Sequence, residues 1–354
     1  MNRRPWPDAS AYLEAFASES LVGYVAALGV LVRDESGEPV YEEADGIVTF
    51  RFRSDRRDVV VRCFTTEAPE RTARCATVAE YVRYVMNGAL ARVRFVARGV
   101  RIDGVWYPVV ASEWHDAPNL RSEIVARLGD GDAMLRLARD FRESVHSLGV
   151  LGIAHGDLQA ATIVRSKGRL RFVPGDAAYV PALAGAMQAV TGHADYQHRD
   201  RPFAPLDARL DRFSSIVIFT ALVALAHDAS LWDRYDNGEN LLFRAEDFRS
   251  EGTSMLFGEL LCNDVTRGLA LALLHAGRVP VEQVPALETI VDASRQPESM
   301  VATLVSAEPA ALELPNEEAA IARVVGQMEH DNAYVRPKRR DIFRRFGRLV
   351  TTFD

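Results

Sequence analysis

Cysteine is scarce in this chain. Cys63, Cys75 and Cys262 are odd in number, far apart and without C-x-x-C spacing. That excludes a disulfide framework and a cysteine zinc site, and a reducing, cytoplasmic setting is expected. Long apolar runs are lacking too. The longest, IVIFTALVALA from Ile216 to Ala226, is far short of the roughly 20 residues that span a bilayer, so it reads as a buried helix. The opening residues MNRRPWPDASAYLEAF are charged and hold no hydrophobic signal core. There is no internal repeat or low-complexity segment. There is no overall basic excess either: the net charge is −7, which argues against a general nucleic-acid binder. What remains is a soluble globular composition over 354 residues, enough for two lobes rather than one small core.

Residues 1–30 read as a helical extension, with Ser10 able to cap a helix. From residue 31 the texture turns to strands. Gly46 to Phe52 and Val59 to Phe64 flank the polar turn Ser54-Asp55-Arg56-Arg57, a hairpin pattern. A helix is predicted over Ala73–Met86, where Cys75, Val78, Val82 and Val85 share a face. A second hairpin follows, turning at Asp103-Gly104. After a polar connector at Glu113–Pro118, helical periodicity takes over. Met134, Leu137, Phe141, Val145 and Leu148 mark an amphipathic helix ended by Gly149 and Gly152. Next come a polar loop, His155-Gly156-Asp157-Leu158-Gln159, and a short hairpin turning at Ser166-Lys167-Gly168. Gly175-Asp176 lies just beyond. A buried helix opens at Asp211, and Phe243–Ala276 carries further helical segments. The fold class predicted is α+β.

The ordered set Trp6-Pro7, Val61-Arg62-Cys63-Phe64, Trp106-Tyr107-Pro108-Val109, Gly152 to Gln159, Tyr179 to Gly185, Asp195-Tyr196-Gln197-His198 and Leu210 to Ser214 resembles the bacterial protein kinase-like proteins whose catalytic loop reads HGDLQ. The resemblance implies a two-lobed, protein kinase-like α+β fold. Its segments are a helical extension over 1–30, an N-lobe over 31–114, a C-lobe over 115–290, and a helical C-terminal extension over 291–354.

It also implies roles. Asp157 matches the catalytic-loop acid, with Gln159 beside it. Arg62 stands where a strand Lys would hold phosphates, and Glu80 is the candidate for its helix partner. Glu113, in the connector, joins the nucleotide-contacting set. Thr162 occupies the position of a metal-binding Asn, and Pro174 that of the metal-binding Asp, leaving Asp176 as the substitute metal ligand. His155 and Asp211 match structural positions beneath the loop. The glycine-rich loop, due between the first two strands near Glu42–Phe50, keeps only Gly46 and gathers Glu42, Glu43 and Asp45. Three acids there repel a triphosphate.

Three readings follow. The first is a pseudokinase, acting as a cytoplasmic signalling regulator or scaffold through a protein partner or a homodimer. The second is a divergent Ser/Thr protein kinase or phosphotransferase using ATP and Mg²⁺, with Asp157 as base. The third rests on Arg336–Arg348, RPKRRDIFRRFGR, where seven Lys/Arg face one acid with apolar residues at helical spacing. Such a tail suits nucleic acid or an anionic membrane through 336–350.

Overall fold

The computed structural model describes residues 5–18, 21–54, 58–85, 88–114, 117–188, 190–249 and 254–294. The C-terminal extension from residue 295, with its basic stretch, lies outside them. The chain divides into two compact units, Met1–Asp116 and Ala117–Asp354.

The first unit is an antiparallel sheet with two helices. Its strands are β1 (Val30–Leu31), β2 (Tyr41–Ala44), β3 (Ile47–Arg53), β4 (Asp58–Phe64), β5 (Val93–Ile102) and β6 (Val105–Glu113). They lie in the order β1-β3-β4-β6-β5, with β2 also paired to β3. Helix α1 (Ala9–Ala17) precedes the sheet, and α2 (Pro69–Tyr84) connects β4 to β5. The β-branched and aromatic content of β3 and β4 suits a pleated surface with a buried face. Val59, Val61 and Cys63 alternate inward along β4. Val48, Phe50 and Phe52 from β3 and Val109 from β6 complete that core.

Within residues 1–30, read from sequence as a helical extension, Trp6, Tyr12, Phe16, Val25 and Leu28 pack into this core. Asp8 caps α1 through its side chain, accepting from the Ala11 amide at 2.9 Å. Tyr12 is fully buried and donates its hydroxyl to the Phe64 carbonyl at 2.8 Å. Phe16 meets the edges of Phe50 and Phe52 at 4.9 and 5.2 Å between ring centres. The helix predicted at Ala73–Met86 starts earlier, at Pro69, because proline is favoured in the first helical turn.

The second unit is mainly helical: α3 (Leu120–Val125), α4 (Gly131–Val150), α5 (Arg212–His227), α6 (Ser230–Tyr235), α7 (Met255–Cys262), α8 (Asp264–Ala276) and α9 (Leu287–Ser294). Between α4 and α5 lies a two-stranded hairpin of β7 (Ile163–Ser166) and β8 (Arg169–Phe172). It turns at Lys167 and Gly168, both with positive φ (52° and 76°), the geometry of a two-residue hairpin turn. Helix α5 is buried from Phe213 through Leu225 and packs on α4 and α8. A helix apolar all round needs such a surrounding. The apolar run read from sequence is therefore a core helix, and no helix among the described residues is long and apolar enough to cross a membrane. The further helices begin only at Met255. The stretch before them, 243–249, is irregular, and Ser254 caps α7 by accepting from the Phe257 amide.

Candidate functional site

The loop from His155 to Thr162 is held from below. Asp211, buried at the start of α5, accepts the backbone N–H of Gly156 at 2.7 Å and that of His155 with its other oxygen. Burial pushes the Asp211 carboxyl above the ordinary carboxylate value. The backbone amides of His155 and Gly156 and the charge of Arg201 pull it back down. A buried carboxylate needs such donors, since each charge-assisted bond offsets lost hydration.

Gly156 is required by the same geometry. Its φ is +76°, and a Cβ there would stand 2.1 Å from the Ala177 carbonyl oxygen. The segment 175–179 is thereby pressed against the loop, and Ala154 and Tyr179 exchange backbone bonds at 3.1 and 2.8 Å. His155 is buried, with Nε2 2.7 Å from the Val173 carbonyl and Nδ1 3.3 Å from the Asp157 amide. A carbonyl can only accept, so Nε2 carries the proton and Nδ1 accepts: the neutral imidazole is the form that fits both bonds.

Asp157 is half-buried and engaged. Gln159 donates its side-chain amide to both carboxylate oxygens, at 3.0 and 2.9 Å, and the His193 backbone N–H donates to Oδ1 at 2.9 Å. Thr162 turns its hydroxyl inward. Oγ1 lies 3.0 and 3.1 Å from the Asp157 and Gln159 carbonyls and accepts from the Gln159 amide at 3.3 Å. One hydroxyl proton serves the two carbonyls, and the oxygen serves one amide. Thr162 thus closes a one-turn cap that delivers the chain into β7.

Two residues that sequence reading did not single out complete the site. Arg201 is almost fully buried and donates to the Gly156 carbonyl at 3.1 Å and to the Gln188 side-chain oxygen. Gln188 in turn donates to the Arg201 carbonyl at 3.2 Å. Burial lowers the Arg201 pKa, and the charges of Asp211, Asp157 and Asp207 oppose that. The sequence signal for Arg201 is faint, one arginine in the run Arg199-Asp200-Arg201-Pro202.

The other predicted positions lie in the first unit. Arg62 is half-buried on β4, opposite Thr49 of β3 and Val110 of β6. Glu80 is exposed on α2, and Glu113 ends β6 opposite Val59. The expected phosphate loop is a two-residue hairpin turn. Ala44 pairs directly with Ile47, and Asp45 and Gly46 have φ of 50° and 73°. The turn is tied down at both residues. Thr65 donates its amide to the Gly46 carbonyl at 2.9 Å, and Arg71 donates to the Asp45 carbonyl.

No protein-family model matches the chain, and no curated protein matches it. The second unit brings His155, Asp157, Gln159, Thr162 and Asp211 together. Asp176 is one residue from Ala177, whose carbonyl abuts Gly156. Among the described residues no group of three or more His, Cys, Asp or Glu gathers in metal-binding geometry. The Asp157 carboxylate can accept a proton or a hydrogen bond, but its oxygens already accept three bonds from two donor nitrogens, Gln159 Nε2 and the His193 amide. The groups around it chiefly hold the loop in shape.

Proposed function

We propose that this chain is a protein kinase-like pseudokinase: a regulator or scaffold that works by binding a protein partner and has lost ordinary Mg²⁺–ATP handling. The order of elements supports the kinase-like part. An antiparallel sheet carrying one helix between its strands comes first. A helical unit follows, with a short hairpin and an HGD loop braced by Asp211.

One observation carries the loss of function, the Asp45-Gly46 turn. Kinase-like phosphate binding needs a glycine-rich loop that lets backbone amides wrap the phosphates. A two-residue turn with Ala44 paired to Ile47 has no such loop, and Glu42 and Glu43 on β2 bring charge of the wrong sign. Thr162 adds to it. An Asn there would offer a carbonyl to a metal, whereas this hydroxyl is spent on the loop backbone.

A binding role has support of its own. The stretch from Ala177 to Ala194 has no Asp, Glu, Lys or Arg, and Met187 within it and Phe203 beyond it are each 85% exposed. Large apolar side chains left in water in and beyond an uncharged loop support the reading of a binding surface there.

Transfer of labelled phosphate from ATP to the chain itself or to a generic protein acceptor tests the proposal. Background transfer, the same in wild type and Asp157→Asn, is the expected outcome. Transfer abolished by Asp157→Asn would make the chain an enzyme and end the pseudokinase reading.

A further inference from the structure

Residues 92–113, which span the β5–β6 hairpin of the first unit, carry four arginines, Arg92, Arg94, Arg98 and Arg101, against Asp103 and Glu113. The arginines are exposed, and none is ion-paired with a carboxylate among the described residues. Asp103 has a partner of its own, and Glu113 lies at the Arg92 end of the hairpin, next to the Val93–Ser112 pair. The other three arginines sit on aromatic rings. Arg94 is 5.4 Å from the centre of the Tyr24 ring, and Arg98 and Arg101 are 4.6 and 6.0 Å from that of Trp106. The two rings belong to one surface. Gly23, the neighbour of Tyr24, has a φ of +112°, and a Cβ on it would stand 3.0 Å from the Trp106 ring and 2.5 Å from the Gly99 carbonyl oxygen. The segment 21–28, which has no charged residue, thus lies against Trp106 and β5. Like charges gathered on one face repel. Here the negative faces of two rings hold them together.

The donor set selects the partner. A guanidinium is a fork of N–H donors with no acceptor, and it matches the two oxygens of a carboxylate. Two such forks share the Trp106 ring, and a third lies on Tyr24 beside it. Ring contact restricts these side chains in advance, so a ligand orders them at lower cost in entropy. Val22 and Val105, chain neighbours of Gly23 and Trp106, are 44% and 41% exposed. Arginine with aromatic and apolar neighbours is the composition of protein interfaces. Nucleic acid fits less well. The arginines take up the ring faces on which bases would stack, and a net charge of −7 repels a long polyanion. A membrane surface calls for large apolar side chains to insert, and the two valines are small.

We infer that the surface formed by Arg94, Arg98 and Arg101 over Tyr24 and Trp106 docks an acidic segment, rich in Glu or Asp, of a partner protein. It uses none of the residues on which the pseudokinase reading rests and no part of the uncharged stretch 177–194, so the two stand or fall separately.

Titration of labelled probes with the full chain tests this, read by fluorescence anisotropy for soluble probes and by co-sedimentation for vesicles. The probes are a peptide of alternating Glu and Ser, its counterpart with Gln in place of Glu, a DNA duplex, and vesicles containing phosphatidylserine. Saturable binding of the Glu peptide that weakens with added salt is expected, with no binding of the Gln peptide. Arg94→Gln and Arg98→Gln change exposed side chains and leave the core intact, and each is expected to weaken binding about fivefold. Arg98→Lys keeps the charge but loses the fork, and it should weaken binding as well. Arg136→Gln and Arg139→Gln, at exposed arginines of α4, should leave it unchanged. Absence of Glu-peptide binding, or equal binding of the Gln peptide, overturns the assignment. So does tighter binding of the DNA or the vesicles, or a loss in the α4 variants equal to that in the β5 variants.

Discussion

Asp211 and Gly156 are 55 residues apart in the chain and joined at 2.7 Å through a buried carboxylate and a backbone amide. This contact, with its twin to His155, fixes the polar loop on the core helix α5. Replacing the acid with Ala leaves two buried amides without acceptors and Arg201 without one of its opposing charges. Loss of about 3 kcal/mol is expected, since orphaned buried groups in such a network are costly. Urea denaturation measures it. Asp211→Asn, which keeps one acceptor, should fall between wild type and Asp211→Ala.

Gly156→Ala tests the close approach of the loop to Ala177. The added methyl would overlap the Ala177 carbonyl in a backbone region that alanine avoids. The expected cost is about 2 kcal/mol or more, because strain and overlap add. A loss under about 0.5 kcal/mol in the same denaturation assay would show that the loop and segment 175–179 are not in contact.

Tyr12→Phe tests whether the first helix belongs to the sheet. It removes one buried hydroxyl and leaves the Phe64 carbonyl unsatisfied, so a cost of about 1–2 kcal/mol is expected. Removing residues 1–17 should expose Phe50 and Phe52 and unfold the first unit, seen as lost sheet signal in circular dichroism. Sheet signal that survives the truncation would make α1 dispensable.

Acidification should weaken the second unit. Burial lowers the His198 pKa below the ordinary imidazole value. Asp200 opposes this and Arg199 adds to it, and the Ala276 and Val279 carbonyls also act on the ring. His275 is lowered by burial and by Arg278. A lowered folded value means that below pH about 6.5 the unfolded chain takes up a proton that the folded chain refuses. Stability therefore falls as pH drops through that window, until the folded value is reached. The slope from His198 is at most about 1.4 kcal/mol per pH unit. Denaturation midpoints between pH 7.5 and 5.5 should show the fall, and His198→Gln should flatten it. Equal slopes in wild type and variant would remove His198 from this role.

Much of this architecture was legible in the residues themselves. Turn dipeptides with a fixed conformational demand, Asp103-Gly104 and Lys167-Gly168, mark their hairpins because few other residues take positive φ. The apolar run in α5 reads as buried because no amphipathic face is present in it. The Asp211 position was legible as a brace from the motif, and its carboxylate does carry two amides. Other features left little local trace. The packing of α1 depends on what Tyr12 meets 52 residues later, and no periodicity within residues 1–30 encodes that partner. Arg201 and Gln188 meet across the loop through bonds set by the fold rather than by spacing. The irregular stretch after Leu242, itself at φ 66°, mixes Phe243 and Phe248 with four charged residues and holds no glycine or proline to stop a helix, so only its packing shows that it is irregular. The stretch where the resemblance expects a phosphate loop was legible as poor in glycine. That it shrinks to a two-residue turn follows from the pairing of Ala44 with Ile47, which sequence alone does not set.

The proposal above has the Asp45-Gly46 turn and Thr162 leaving no working Mg²⁺–ATP site. A thermal-shift titration of the full chain with ATP and Mg²⁺ or Mn²⁺ tests it most directly. A ligand at a hundred times its dissociation constant adds about 2.7 kcal/mol, which for a unit of this size raises Tm by several degrees. A shift below about 1 °C at millimolar nucleotide is expected, unchanged by Asp176→Ala. A saturable rise of several degrees that requires the divalent cation and disappears in Asp176→Ala would contradict it.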